Sequence, residues 1–327
     1  MRTIDWADDS IEIIDQTMLP AKLIQLRLQT VDELVAAVLS LAVRGAPALG
    51  VAGALGVALA ARTTDGPELD AAIERIATCR PTAVNLARGA RRAAARLPQG
   101  AAAVLAEALL IRDEEIAASA AMATLGADFV IEVCGARPRL LTHCNTGALA
   151  AVIGGTALGV VFELHRRAAL GEVIASETRP LLQGARLTAW ELDRAGIPFR
   201  VAVDSAGPFL MARGQIDGVV LGADRICANG DVINKVGSYP HALGARAAGI
   251  PFIVVAPEST IDRLTPSGAA VEIEERDSAE VLTYNGVATA PDGVEATNPA
   301  FDVTPHELVT AIVTDQRIIR PYRGERP

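Results

Sequence analysis

Two residues in this chain combine reactive chemistry with a position that could use it. Cys144 follows the apolar run Leu140-Leu141-Thr142-His143 and precedes Asn145-Thr146-Gly147, while Asp224 follows Gly218-Val219-Val220-Leu221 through the small residues Gly222 and Ala223. A thiol placed between a strand and a helix gains thiolate character from the helix N-terminus, whereas burial among alanines and leucines raises its pKa. A carboxyl just beyond an apolar strand is partly desolvated and able to hold a proton near neutral pH, which is what a general acid needs. Each residue also has an ordinary role open to it, a core thiol for Cys144 and a turn cap for Asp224. Position alone does not decide.

Candidate cations lie near candidate turns. Lys235 is one of only two lysines, the other being Lys22, and it sits between Asn234 and Val236 in a segment that begins with the tight turn Asn229-Gly230-Asp231. It is a candidate phosphate or carboxylate contact, against the plain alternative of a snorkelling side chain. Arg44-Gly45-Ala46-Pro47 leads into an apolar helix whose free N–H groups, together with the arginine, would make an anion cradle. Arg80-Pro81-Thr82 offers a second cation before a helix. An exposed arginine beside a proline-initiated helix is the common alternative for both. The cysteines Cys79, Cys134, Cys144 and Cys227 form no C-x-x-C pair, and the histidines have no metal-ligand spacing. Gly154, Gly155 and Gly159 do not make the dinucleotide fingerprint, which must open a helix directly after a strand. No metal and no cofactor is expected.

The elements that must position these groups follow from hydrophobic period. Up to about Gly126 the chain reads as a short strand at 11–14 and alanine-rich helices at 31–43, 48–62, 69–78, 83–97 and 102–125. Beyond it, β-branched runs at 140–143, 172–175, 199–203, 218–221 and 251–255 alternate with helices at 147–169, 180–195, 207–213 and 239–248, the pattern of a parallel sheet with crossovers. The tail predicts an edge strand at 271–275 and a helix at 305–314. The expected fold class is therefore α/β, in two domains, 1–128 and 129–327. In such a sheet ligands bind at the carboxyl ends of the strands, and that rule gathers Cys144, Ser176-Glu177-Thr178-Arg179, Asp204-Ser205, Asp224 and Ala256-Pro257 along one edge.

Composition bounds the partners. The 327 residues are 50% hydrophobic with 3% aromatics, which suits close helix-on-sheet packing. A net charge of −9 and a pI near 5.1 disfavour nucleic acid and anionic membrane, so an anionic ligand must be held by local cations. No uninterrupted apolar run reaches the roughly 20 residues of a membrane span, and Asp5, Asp8 and Asp9 argue against a signal peptide. A cytoplasmic location is expected.

Ordered blocks along nearly the whole chain resemble the methylthioribose-1-phosphate isomerase family. They are Ile14-Asp15-Gln16-Thr17-Met18-Leu19-Pro20, Arg44-Gly45-Ala46-Pro47-Ala48, Arg80-Pro81-Thr82-Ala83-Val84-Asn85-Leu86, Leu141-Thr142-His143-Cys144-Asn145-Thr146-Gly147, Glu177 to Gly184, Gly222-Ala223-Asp224-Arg225-Ile226, and Asn234-Lys235-Val236-Gly237-Ser238-Tyr239. Departures from the pattern at Leu49, Val236 and Ser238 are conservative. The resemblance implies a mainly helical N-terminal domain with a small sheet, a Rossmann-like C-terminal domain with a parallel sheet and no nucleotide, and a homodimer. It implies catalytic roles for Asp224 and Cys144, and substrate contacts by Arg44, Gly45, Ala46, Arg80, Gln183, Asn234 and Lys235. The implied reaction is the aldose-ketose isomerisation of a sugar phosphate in methionine salvage. The same fold family contains ribose-1,5-bisphosphate isomerases and regulatory subunits of initiation factor 2B. The Leu181-Leu182-Gln183 stretch looks more like the methylthioribose branch, with 5-deoxyribose 1-phosphate a further candidate substrate.

Overall fold

The computed structural model describes residues 2–284 and 286–327. It is a mixed α/β fold. The chain begins with an antiparallel sheet of β1 (Ile4–Ala7), β2 (Ser10–Ile14) and β3 (Gln25–Leu28). Helices α1 (Val31–Leu39), α2 (Ala46–Thr63), α3 (Gly66–Thr78), α4 (Val84–Ala94) and α5 (Ala101–Cys134) follow. The second part contains β4 (Arg139–Thr142), α6 (Ala157–Arg166), β5 (Glu172–Ser176), α7 (Ala189–Arg194), β6 (Phe199–Ala202), α8 (Ala206–Ala212), β7 (Gly218–Leu221), β8 (Arg225–Cys227), β9 (Val232–Lys235), α9 (Ser238–Ala248), β10 (Phe252–Val255) and β11 (Ile261–Asp262). It ends with α10 (Ala279–Leu282), the small hairpin β12 (Thr283–Tyr284) and β13 (Val287–Ala288), then β14 (Phe301–Thr304), β15 (Ala311–Val313) and β16 (Ile318–Ile319).

Local chemistry explains the first helices. Thr30 and Glu33 close a reciprocal capping box, with Glu33 N–H donating to Thr30 Oγ1 at 3.2 Å and Thr30 N–H to Glu33 Oε2 at 3.0 Å, so α1 starts there. Helix α2 is buried along almost its whole length because alanine and glycine let α4 approach closely: a Cβ on Gly89 would lie 1.9 Å from Gly50 O. Helix α5 has the alanine-rich sequence that sustains 34 residues without a break. Val104, Ala108 and Ile111 on its first half pack into the core formed by α1 to α4 and the β1–β3 sheet. Met122, Ala127 and Val130 on its second half pack under β4, β5 and α6. By length and composition both α2 and α5 could cross a membrane; here α2 is mostly buried, while α5 gives part of its surface to the two cores.

The larger sheet runs in the order β16-β15-β10-β7-β4-β5-β6, parallel throughout except for β16. The chain builds outward from β4 through β5 to β6, then returns to the other side of β4 and builds through β7 and β10 to β15. The direction of winding thus reverses between β4 and β7, which opens a crevice at their carboxyl ends. A second sheet, β11-β8-β9-β14, stands beside that crevice.

Several expectations are corrected. Helix α5 runs on to Cys134 instead of ending near 125. The helix expected over 147–169 begins only at Ala157, because Gly154 and Gly155 take φ of +77° and +97° and fold residues 147–156 into a loop. The helix expected over 180–195 is a π-helical turn, Gly184–Thr188, continued by α7. Residues 271–275 form no strand; Glu275 makes one isolated bridge to Pro299. The helix expected over 305–314 is a short turn, His306–Leu308, followed by β15, where Ile312 and Val313 pair with Val254 and Val255 in the buried sheet. Tertiary pairing, not local propensity, decided that segment.

Candidate active site

At the switch point between β4 and β7 lies a recess, at the place where open α/β sheets hold small molecules. Arg44, Gly45, Ala46, Arg80, Cys144, Gln183, Asp224, Asn234 and Lys235 all line it. The structure brings these nine residues together from six separate segments, whereas Ser176-Glu177-Thr178-Arg179, Asp204-Ser205 and Ala256-Pro257, expected along the same edge, do not line the recess. Arg276 and Phe301 also line it, with Asn145, Thr146, Leu41 and Leu181.

Each group has an identifiable mount. Cys144 lies two residues beyond β4 with φ +61°, a left-handed turn fixed by its own backbone: its N–H donates to Thr178 Oγ1 at 2.8 Å and its C=O accepts from Thr188 Oγ1 at 2.6 Å. Asp204 holds the Thr178 loop by accepting from the N–H groups of Thr178 and Arg179, each at 2.7 Å, so it supports the site without lining it. Asp224 follows β7, its N–H donating to Ile233 O at 2.9 Å. Asn234 and Lys235 lie on β9, paired in register with Asp302 and Phe301 of β14. Gly45 caps α2 with φ +94°, and a Cβ there would lie 2.4 Å from Ala150 O, so only glycine brings the start of α2 this close to the loop after β4. No side chain caps α2, and Gly45, Ala46 and Pro47 at its start line the recess.

Burial governs the electrostatics. It raises the Cys144 thiol above its ordinary value; Arg44 and Lys235 pull it down and Asp224 adds to the rise. It likewise raises the Asp224 carboxyl, opposed by Lys235, Arg80 and Arg44. Both groups therefore lean toward their protonated forms. Burial also pulls the Lys235 ammonium down, while Cys144 and Asp224 support its charge. Its Nζ donates to Ala300 O at 2.6 Å and sits 4.9 Å from the Phe301 ring centroid, a cation–π contact. Arg44 is buried, its guanidinium pulled down by desolvation and supported by Cys144, Glu191 and Asp224. It donates to Asn145 O at 3.0 Å and to Asn145 Oδ1, and its Nε is left without a partner among the described residues. Glu191, buried behind the recess, accepts from Asn145 Nδ2 at 2.7 Å and so orients the amide that holds Arg44.

Sequence reasoning does not find Glu191, Arg276 or Phe301. Glu191 lies inside a helical segment with no motif around it. Arg276 stands in an acid-rich stretch, paired with Glu274 at 2.9 Å and with Glu280. Phe301 becomes relevant only through its register with Lys235. His143 does not pair with Cys144: its Nε2–H donates to Val236 O at 2.8 Å, its ring packs edge-on to His241, and burial lowers it to about 4. Cys79, Cys134 and Cys227 lie outside the recess. Asp231, His306 and Glu307 form the one group with metal-like spacing among the described residues. There Asp231 Oδ1 accepts from His306 N–H at 3.0 Å and lies 2.9 Å from His306 Nδ1, which anchors a turn.

A carboxyl raised by burial and a thiol facing one recess, ringed by Arg44, Arg80, Lys235 and Arg276 in an acidic protein, define an α/β protein suited to hold a small phosphorylated molecule against an acid and a sulfur. The chain belongs to the initiation factor 2 subunit family, whose model it matches over residues 42–321. It is 53% identical, over 97% of its length and 92% of the relative's, to the methylthioribose-1-phosphate isomerase of Anaeromyxobacter sp. (strain K). It is 51% identical over its whole length to the probable bifunctional methylthioribose-1-phosphate isomerase/methylthioribulose-1-phosphate dehydratase of Nocardia farcinica (strain IFM 10152), of which it spans 61%. The 5-deoxyribose 1-phosphate isomerase of Moorella thermoacetica is 47% identical over 97% of this chain and 94% of that one. Among solved structures, 5-methylthioribose 1-phosphate isomerase from Pyrococcus horikoshii OT3 superposes with a TM-score of 0.88 at 39% identity, covering 99% of this chain and 94% of that one. Translation initiation factor eIF-2B, subunit delta, from A. fulgidus superposes with a TM-score of 0.86 at 40% identity, covering 99% and 98%.

Proposed function

We propose that this chain is an aldose-ketose isomerase that converts 5-methylthioribose 1-phosphate to 5-methylthioribulose 1-phosphate, a step of methionine salvage. The observation that carries the reading is that Asp224 and Cys144, far apart in sequence, line one cation-rimmed recess at the switch point of the sheet. A phosphate on C1 locks the anomeric carbon, so the sugar cannot open to a free aldehyde first. Asp224, its carboxyl raised by burial, donates a proton to the ring oxygen; the C1–O bond breaks and leaves C1 electron-deficient with its phosphate attached. C1 then takes hydrogen from C2, the C2 hydroxyl gives its proton to the Asp224 carboxylate left by the first step, and a ketone results. Donor and acceptor of the hydrogen are both substrate carbons, so no external redox cofactor enters. The start of α2, Arg44 and Arg80 hold the phosphate, and Asn234 with Lys235 reach the sugar hydroxyls or the same phosphate.

The C2 hydrogen can travel as hydride or as proton. Because burial raises Cys144 and a bound phosphate would offset the cations that oppose that rise, the thiol form prevails and a thiolate base is disfavoured. We therefore favour the hydride shift, with Cys144 packing against the migrating centre. Substrate deuterated at C2 decides: label kept in the ketose supports the shift, and washout to solvent supports proton abstraction by Cys144. Failure to form any ketose from methylthioribose 1-phosphate would sink the isomerase reading. The A. fulgidus neighbour keeps a second reading open, a sugar-phosphate-sensing regulatory subunit, but a sensor has no use for the paired acid and thiol. With the isomerase reading go a division into a mainly helical part, 1–128, and a Rossmann-like catalytic part, 129–327, a homodimer, and a cytoplasmic location without nucleic-acid or membrane partners.

A further inference from the structure

Two groups that the recess needs, the Arg44 guanidinium and the Cys144 turn, share one support that lines no part of it. Glu191 on α7 is 7% exposed and stands behind the loop after β4. Its Oε1 accepts from Asn145 Nδ2 at 2.7 Å and its Oε2 accepts from the Ala148 N–H at 2.8 Å. Each bond fixes something at the recess. Asn145, 3% exposed, presents its amide oxygen Oδ1 and its main-chain oxygen to Arg44. It also follows Cys144, whose C=O accepts from Thr188 Oγ1, and Thr188 Oγ1 in turn accepts from Asn145 Nδ2 at 3.2 Å. Ala148 opens the short turn Ala148–Ala150, whose Ala150 packs against Gly45 at the start of α2. Gly147 makes the room: a Cβ there would lie 2.3 Å from Glu191 Oε1.

The ends of this chain of bonds fix the direction of every link. A guanidinium and a main-chain N–H can only donate, so Asn145 must turn its oxygen to Arg44 and its NH2 to residue 191. Residue 191 must then accept on both of its atoms, toward Asn145 and toward Ala148, and only a carboxylate does that. Burial pushes the Glu191 carboxyl up, while the bonds from Asn145 and Ala148 and the Arg44 charge hold it down. A glutamine at this position would meet one donor and set its own NH2 against the other. No flip of either amide removes the clash; it only moves it along the chain.

We propose that Glu191 is a positioning residue: it touches no substrate, and through its two hydrogen bonds it aims Arg44 at the phosphate and holds the Cys144 turn in place. This role rests on the isomerase reading for the identity of what the recess holds. Two variants of the full chain test it, Glu191→Gln alone and Glu191→Gln combined with Asn145→Asp. For each, calorimetry gives the dissociation constant of inorganic phosphate, ketose formation from methylthioribose 1-phosphate gives kcat and KM, and melting reports stability. Glu191→Gln should weaken phosphate binding and lower kcat/KM, each by at least about tenfold. In the double variant the carboxylate introduced at 145 accepts from Arg44 and from the amide introduced at 191, whose oxygen accepts from Ala148 N–H, so every donor is met and the net charge is unchanged. It should return both quantities to within about threefold of the parent, a coupling that only direct partners show. A merely structural brace would lower the melting temperature and leave the phosphate constant of the folded protein unchanged. Parental phosphate affinity in Glu191→Gln, or a double variant no better than the single one, overturns the proposal. If Glu191→Gln does not fold, the double variant decides: folded with near-parental phosphate affinity it supports the role, and unfolded or folded without that affinity it overturns it. Absence of ketose from the unaltered chain brings down the isomerase reading, and the phosphate constants then still decide the role of Glu191.

Discussion

Replacing Asp224 with asparagine removes a proton donor while keeping its shape, and the structure says what should follow. An amide cannot give a proton to the ring oxygen, and general acid catalysis is worth about 10²- to 10⁴-fold, or roughly 3–5 kcal/mol of transition-state stabilisation. The loss should fall on kcat. Binding should hold or tighten, because the carboxylate form of Asp224 stands among Arg44, Arg80 and Lys235 and competes with phosphate for their charge. The pH profile supplies the sign. Burial raises the Asp224 carboxyl, so the active protonated form is full at low pH and is lost as pH rises through the raised value; kcat should fall on the alkaline side. Ketose formation followed directly by NMR from pH 5 to 9, with phosphate-ester affinity from calorimetry, gives all three quantities. A variant that keeps more than a tenth of the original kcat, or that loses affinity and turnover in equal measure, would remove Asp224 as the acid.

Three further outcomes follow from other contacts. The Asp302 carboxyl, pushed up to about 6 by burial, accepts from the N–H groups of Gly237 and Tyr239 through Oδ2 while Oδ1 has no partner among the described residues. Its folded value exceeds its ordinary 3.8, so its contribution to stability is full below about pH 4 and is lost as pH rises through 6. Asp302→Asn keeps the acceptor without the charge and should melt like the parent at pH 4 and a few degrees higher at pH 8; an unchanged difference between the two pH values removes Asp302 from the stability profile. Gly45→Ala forces a Cβ to within 2.4 Å of Ala150 O at φ +94°, at a cost of about 2–5 kcal/mol. A lowered melting temperature and raised KM are expected, and a variant with parental values for both shows that α2 can shift freely. For His143, glutamine can still donate to Val236 O and leucine cannot, so His143→Gln should retain most of kcat and His143→Leu should lose it. Equal activities would show that this tie between the Cys144 turn and the Lys235 segment is idle.

Local pattern went far in this chain. The strands β4, β5, β6, β7 and β10 were legible because β-branched runs flanked by turn residues are what buried parallel strands require. Where context overruled pattern, the reading missed: Ala311-Ile312-Val313 is short enough for helix or strand, and its partner Ile253-Val254-Val255 settled the matter. Residues 147–156 were apolar enough for helix, but Gly154 and Gly155 at positive φ turned them back across the recess.

By itself the sequence determined which groups could react and at which edge of the sheet they would stand, since a strand's end, a small-residue turn and a helix start are encoded within a few neighbouring residues. The tertiary structure alone decided that Cys144 and Asp224 share a recess, because the reversal of winding between β4 and β7 is a property of the whole sheet. It alone supplied Glu191 behind Asn145 and Phe301 beside Lys235. Those are contacts between segments far apart in the chain, and no local spacing encodes the distance between them.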